Sequence, residues 1–266
     1  MNLPIPPRPE MEPPASPPAR PRATWTVFHS VGIFLLGNLV IGQALIGSIV
    51  LAMYGVITVS DNGATTPVLM ASLFTDVAMV GTILVWLRLR KEPVVALLGV
   101  PARGRWLREI GIGVAAGALL YLVVVFGAST VFSWLLERAF NRPIVTPAQI
   151  SPDLSRAGEF LAAFLAIVIA PPAEELFFRG VLFRGLRDRR GFATGAAVSA
   201  VMFGLAHWIG GDWRGSLVLV LSMVVTGFGL ALLYDRRKYL VTTIAAHATF
   251  NIIGVILLFG FPRFGT

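Results

Sequence analysis

Long apolar stretches separated by short polar ones set out the plan of this chain. The first runs from about Val31 to Val59, the second from Pro67 to Leu87 and the third from Ile110 to Leu136. Each is long enough for a helix to cross a bilayer, which takes about 20 residues. A fourth begins with 14 uncharged residues from Phe160 to Ala173. That is too short to cross alone, so the helix is predicted to continue through Glu174, Glu175 and Arg179 to about Phe183. A fifth stretch ends near Trp208–Trp213, a sixth runs from Ser216 to Tyr234, and a seventh from Leu240 to Phe261. The pattern predicts an all-α, polytopic transmembrane helical bundle of about seven spans, or eight if a long one splits.

The polar segments orient the bundle. With the N-terminus inside, residues 1–30, 88–108, 179–190 and 235–238 hold seventeen Lys or Arg, and the opposite segments hold five. This is the positive-inside bias of a membrane protein. It also accounts for the formal charge of +8 without nucleic acid, since the basic residues sit in short segments suited to anionic lipid. Residues 1–26 read as a disordered, Pro-rich cytoplasmic tail, with nine of the eighteen prolines in residues 1–22. The tail has no apolar run of its own and does not read as a signal peptide. Composition agrees with the membrane class: 56% hydrophobic, 14% charged, and a mean hydropathy of +0.77. There is no cysteine, which excludes a disulfide framework, a thiolate zinc site and a thiol nucleophile.

Polar and small residues inside the spans are the next signal. Gly32, Gly37, Gly42 and Gly47 recur every five residues, a spacing that does not line one face of an α-helix. Asn38 and Gln43 read as interhelical hydrogen-bonding groups. Asp76, in the middle of the second span, reads as a packed carboxyl rather than an ion-coupling residue. Gly113-x-x-x-Gly117 lets a neighbouring helix approach closely, as it would in a dimer seam.

The strongest signal is Glu174-Glu175. A carboxylate at the centre of a membrane helix costs roughly 2.5–3.5 kcal/mol on insertion scales, so an ionisable group there marks a functional site. Glu175 and Arg179, four residues apart, can pair on one helix face. Of the three histidines, His29 is expected at the membrane interface, while His207 and His247 lie within apolar runs. His247 and Asn251 share a face one turn apart. Counted from boundaries at Phe183 and Tyr239, Glu174 and His247 come out at about 14 and 12 Å depth. His207, counted from Arg190, comes out at about 25 Å. The three levels agree if residues 191–195 lie in the interface and the fifth span begins near Ala196, which is the arrangement expected. A helix running straight from Gly191 would argue against a shared site.

Glu174-Glu175-x-x-x-Arg179, Phe203-x-x-x-His207 and His247-x-x-x-Asn251, in that order, resemble the three motifs of the CPBP intramembrane proteases. That family includes the type II CAAX prenyl endopeptidases and the Abi or bacteriocin self-immunity proteins. The resemblance covers about residues 155–260. It implies a catalytic membrane core over 158–266, preceded by N-terminal membrane helices over 27–157 that carry none of the motifs. It also implies an intramembrane endopeptidase acting on a membrane-anchored, for instance CAAX-type prenylated, protein. Glu174 would be the general base, His207 would hold or activate the water, and His247 with Asn251 would stabilise the oxyanion. Glu175 and Arg179 would organise the helix, and the site would be reached from the cytoplasm.

Neutral His and Asn N–H groups in a dry cavity are effective oxyanion donors, so the chemistry is coherent. One zinc ion is the alternative activator, with Glu174, His207 and His247 as its three ligands. The absence of a His-Glu-x-x-His motif favours the metal-free mechanism. The expected partners are the substrate and the lipid bilayer, and the expected location is a bacterial inner membrane with the N-terminus in the cytoplasm. Two further readings belong to other classes. One is a non-catalytic scaffold or self-immunity factor that keeps the motifs for stability. The other is an ion-coupled transporter using Asp76 and the glutamates, for which no inverted repeat of broken helices is present.

Overall fold

The computed structural model describes residues 22–56, 65–93, 99–151 and 153–260. The Pro-rich run before residue 22, the loop at 60–63 and the end of the last apolar stretch lie outside those residues. Every regular element described is a helix. Helices α1 (Val27–Met53), α2 (Thr66–Leu89) and α3 (Trp106–Phe140) precede a 50-residue run, Arg156–Leu205. That run breaks at Gly191, whose φ of 85° lies in the left-handed region open to glycine, and so divides into α4 (156–190) and α5 (192–205). Helices α6 (Trp213–Arg237) and α7 (Leu240–Phe259) complete the bundle. Six of these runs are long and apolar enough to cross a membrane, and the break at Gly191 makes seven helices among the described residues. The chain is a multi-pass membrane protein, close to the span count expected from the hydrophobic pattern.

The α4–α5 hairpin corrects the expected start of the fifth helix. Helix α5 begins directly after Gly191, not near Ala196, yet His207 stays level with Glu174. The reason is that α4 does not end near Phe183 but remains helical to residue 190. Glu174 and His207 therefore lie almost equally far in sequence from the same turn. Ser199 Oγ donates to the Phe178 carbonyl at 2.9 Å, and the Phe183 and Phe192 rings meet edge to face, so the two arms pack antiparallel.

The glycines of α1 give a second correction. Over Leu35–Gly47 the helix is π-helical, bonding i to i+5 rather than i+4. Residues five apart then follow one another up the same face. Gly37, Gly42 and Gly47 are all buried against α2, where a Cβ on Gly42 would lie 2.8 Å from Thr75 Cγ2. The α-helical spacing rule fails here because the helix is not α. The Gly113/Gly117 pair is used within the chain, not between copies: a Cβ at either position would strike the backbone of α7 at Thr242 or Ala246. Close approach of α3 thus seats the helix turn that carries His247.

The last residues of the expected 1–26 tail are packed into the bundle. Ala23 and Trp25 are buried, and Trp25 Nε1 donates to the Val181 carbonyl at 2.9 Å. Val181 lies in another π-helical stretch, Leu176–Phe183. The Trp25 ring packs edge to face on Trp86 and under the Arg184 guanidinium, and the lack of a Cβ at Gly185 makes room for it. Trp25→Ala is expected to destabilise the protein by about 3–5 kcal/mol, the usual cost of emptying a large aromatic site. A clear drop in the thermal midpoint in detergent would show it, and an unchanged midpoint would remove this residue from the core. At the same end of the bundle, buried Glu109 accepts hydrogen bonds from Arg237 and Thr242, tying the start of α3 to the α6–α7 junction.

Candidate active site

The site forms where α4 changes register. Over Leu165–Ile169 the helix is π-helical, and the Ala170 N–H reaches back to the Leu165 carbonyl. The next amide in that register would be that of Pro171, which has no N–H. The Ala166 carbonyl is consequently unserved by its own helix, and Asn251 Nδ2 donates to it at 2.6 Å. An asparagine on α7 thereby bridges to α4 about two turns before the glutamates. Pro171 and Pro172 mark this change of hydrogen-bond register.

Beyond the prolines lies a buried charge cluster. Glu175 and Arg179 are wholly buried and joined by a 2.7 Å ion pair, as their spacing predicted. Arg179 Nη2 also donates to the Gly227 carbonyl at 3.1 Å, and the guanidinium lies over the Phe203 ring. The spacing did not reveal the third contact: His247 Nδ1 lies 3.0 Å from Glu175 Oε1. A carboxylate only accepts, so the ring nitrogen facing it carries the proton. That orients the imidazole with Nε2 4.0 Å from Glu174 Oε2. Glu174 Oε2 is itself buried and has no hydrogen-bond partner in the protein.

His207 is not inside a helix as expected. It lies in the turn just past the end of α5, where its Nδ1 is 2.8 Å from the Phe203 carbonyl. A carbonyl also only accepts, so the proton sits on Nδ1 and the Nε2 lone pair is free. Phe203 lies between the two histidines, with ring centroids 4.7 Å from His207 and 5.7 Å from His247.

Glu174, His207, His247 and Asn251 all line one cavity of about 780 Å³. Glu175 and Arg179 sit behind its wall, as supports. Asp76 of α2 also lines the cavity, and the Glu174 carboxylate is within electrostatic reach of it. No motif partner stands near Asp76 along the chain, so spacing alone does not join it to the site. Its one sequence signal was a carboxyl at mid-span. The exposed residues of the cavity lining include Thr146, Ala148 and Gln149, in the loop predicted to be external.

Three motifs, in order, meet around one cavity, and the segment carrying them has relatives. Residues 156–253 match the Rce1-like type II CAAX prenyl endopeptidase family. A Bacillus subtilis (strain 168) protein named "Putative membrane peptidase YdiL" is 30% identical over 97 residues. That stretch is 36% of this chain and 37% of the relative, so the likeness covers only part of either protein. No solved structure matches the chain.

The zinc alternative can be tested on the donor set. Among the described residues, no three His, Cys, Asp or Glu side chains are grouped to hold a metal ion. Glu174, His207 and His247 share the cavity but are not grouped as such a triad. No step below is routed through a metal.

Proposed function

We propose that this protein is an intramembrane endopeptidase that hydrolyses a peptide bond of a membrane-anchored protein with a water activated by Glu174. The observation that carries this reading is the single cavity joining Glu174 to His207, His247 and Asn251 within the family-matched segment. Glu174 takes a proton from the water while the acceptor Nε2 of His207 holds the other hydrogen. The hydroxide adds to the substrate carbonyl. Nε2–H of the His247 imidazolium and the second N–H of Asn251 receive the developing oxyanion. With its Nδ1–H turned to Glu175, His247 offers an N–H at Nε2 as well only as the imidazolium, and the Glu175 and Glu174 carboxylates facing it at 3.0 and 4.0 Å support that form. Protonated Glu174 then delivers its proton to the leaving nitrogen as the C–N bond breaks. The products are one amine and one carboxylic acid.

The charge bias supports an N-terminus in the cytoplasm, and the Bacillus relative, named a membrane peptidase, supports a bacterial membrane as the location. The substrate class is a polypeptide held in the bilayer, and a CAAX-type prenylated C-terminus is one such anchor to test.

Purified protein in lipid vesicles is the test, with membrane-anchored peptide reporters and products located by mass spectrometry. Wild-type protein is expected to cleave, and His247→Ala, which removes the oxyanion donor, is expected not to. Chelation is expected to leave the wild-type rate unchanged. Failure to cleave any anchored reporter, or cleavage retained in His247→Ala, sinks the reading. A rate abolished by chelator and restored by zinc would replace the metal-free mechanism.

A further inference from the structure

The cavity occupies one end of the bundle only. On α2 its lining stops at Asp76, 13 residues short of Leu89, and on α6 it stops at Thr226, 11 residues short of Arg237. On α7 it runs from His247 to Leu258, the C-terminal part of the helix. Each of these segments is the part of its helix that adjoins the loops at 141–155 and 206–212. The rim residues Thr146, Ala148 and Gln149 are exposed, and Ser72 on the α2 wall is exposed as well.

The other end is shut. Trp25, Leu87, Phe183, Tyr234 and Leu240 are each 2% exposed or less and belong to one apolar cluster. The Glu109–Arg237 pair closes over the α3 start. This packed end is also the basic one. It carries the C-terminal arginines of α2, the arginines beside Gly191, and Arg236-Arg237-Lys238. The open mouth and the basic segments are therefore at opposite ends of the bundle. By the positive-inside bias, the basic end faces the cytoplasm.

We propose that the site is fed from the extracytoplasmic side, through an entrance at the Thr146–Ile150 loop. Its substrates are membrane-anchored polypeptides that present the scissile segment in the outer half of the bilayer or just beyond it. From Phe259 to His247 is 12 residues, a depth of about 18 Å at the helical rise. An extended peptide covers that distance with about five or six residues. The substrate must thus offer a short unfolded segment next to its anchor, on the side away from the cytoplasm. The substrate part rests on the peptidase reading above, whereas the sidedness does not.

The chain has no cysteine, so single cysteines can report which side each surface faces. Gln149→Cys marks the rim, Ser72→Cys the cavity wall, and Arg103→Cys the basic end. Each full-length variant is expressed in bacterial cells and treated with a small, charged, membrane-impermeant thiol reagent, before and after permeabilisation. The expected result is labelling of Gln149→Cys and Ser72→Cys in intact cells. Arg103→Cys should lose labelling in intact cells and gain it only on permeabilisation. Labelling of Ser72→Cys confined to permeabilised cells, or labelling of Arg103→Cys in intact ones, overturns the proposal. Because the readout needs no turnover, its failure is separate from failure of the peptidase reading.

Discussion

Glu174→Gln is expected to abolish peptide cleavage while leaving the protein folded. The substitution keeps the shape of the side chain but removes its capacity to take a proton from water. Losing a positioned general base costs typically about 10²–10⁴-fold in rate. The fold should tolerate the change, since the Glu174 side chain is 22% exposed and its buried Oε2 bonds to no protein group. Initial rates on an anchored reporter and thermal unfolding in the same detergent would be measured side by side. A variant that unfolds like wild-type and has lost its activity assigns the base. A variant that still cleaves near the wild-type rate removes Glu174 from that role. The same variant separates enzyme from scaffold: cellular function retained by Glu174→Gln would favour the non-catalytic reading.

Arg179→Met should produce the largest loss of stability of any single substitution in the site. Arg179 and Glu175 are both wholly buried, so truncating the guanidinium takes the arginine from that carboxylate and leaves only His247 Nδ1 to face it in the core. Breaking a buried pair in this way costs about 3–5 kcal/mol, most of it from the stranded charge. The Gly227 carbonyl also loses its donor, and the Phe203 ring loses the cation above it. Arg179→Lys should recover only part of the loss, because an ammonium lacks the fork that reaches Glu175 and Gly227 together. The double variant Glu175→Gln/Arg179→Met should be more stable than Arg179→Met alone, since its carboxylate is gone. Unfolding midpoints of these variants, of Glu175→Gln and of wild-type measure this, and additive effects of Glu175→Gln and Arg179→Met would show that the pair is not coupled.

These two outcomes draw on different levels of the molecule. Glu174 was legible as a site residue because a charge in a long uncharged run is costly and has few structural uses. The Glu175–Arg179 pair was legible because i,i+4 spacing on a helix is a local property. The Glu175–His247 contact joins residues 72 apart, and no local rule reports it. The proton it places on Nδ1 changes what His247 can do at Nε2, so a mechanistic detail depended on packing. The glycines of α1 were misread because periodicity arguments assume a helix type, and π-helical bonding shifts which residues share a face. Asn251 illustrates the same limit. Its spacing from His247 was visible, but its bond to the Ala166 carbonyl follows from a missing proline amide on another helix.

By itself, the sequence determined the class of molecule, the number of helices to within one, and the motif residues that surround the cavity. Those properties follow from hydropathy, from charge placed at a cost, and from spacing along single helices, all of which are written in one dimension. Only the tertiary structure decided that α4 and α5 fold back at Gly191 to bring Glu174 and His207 level. It likewise decided that Asp76 joins the cavity and that the cavity opens away from the basic segments. These depend on which helix ends are filled by side chains from distant parts of the chain. Trp25 and Phe183 pack one end shut, while the loop at Thr146–Ile150 stands at the rim of the other.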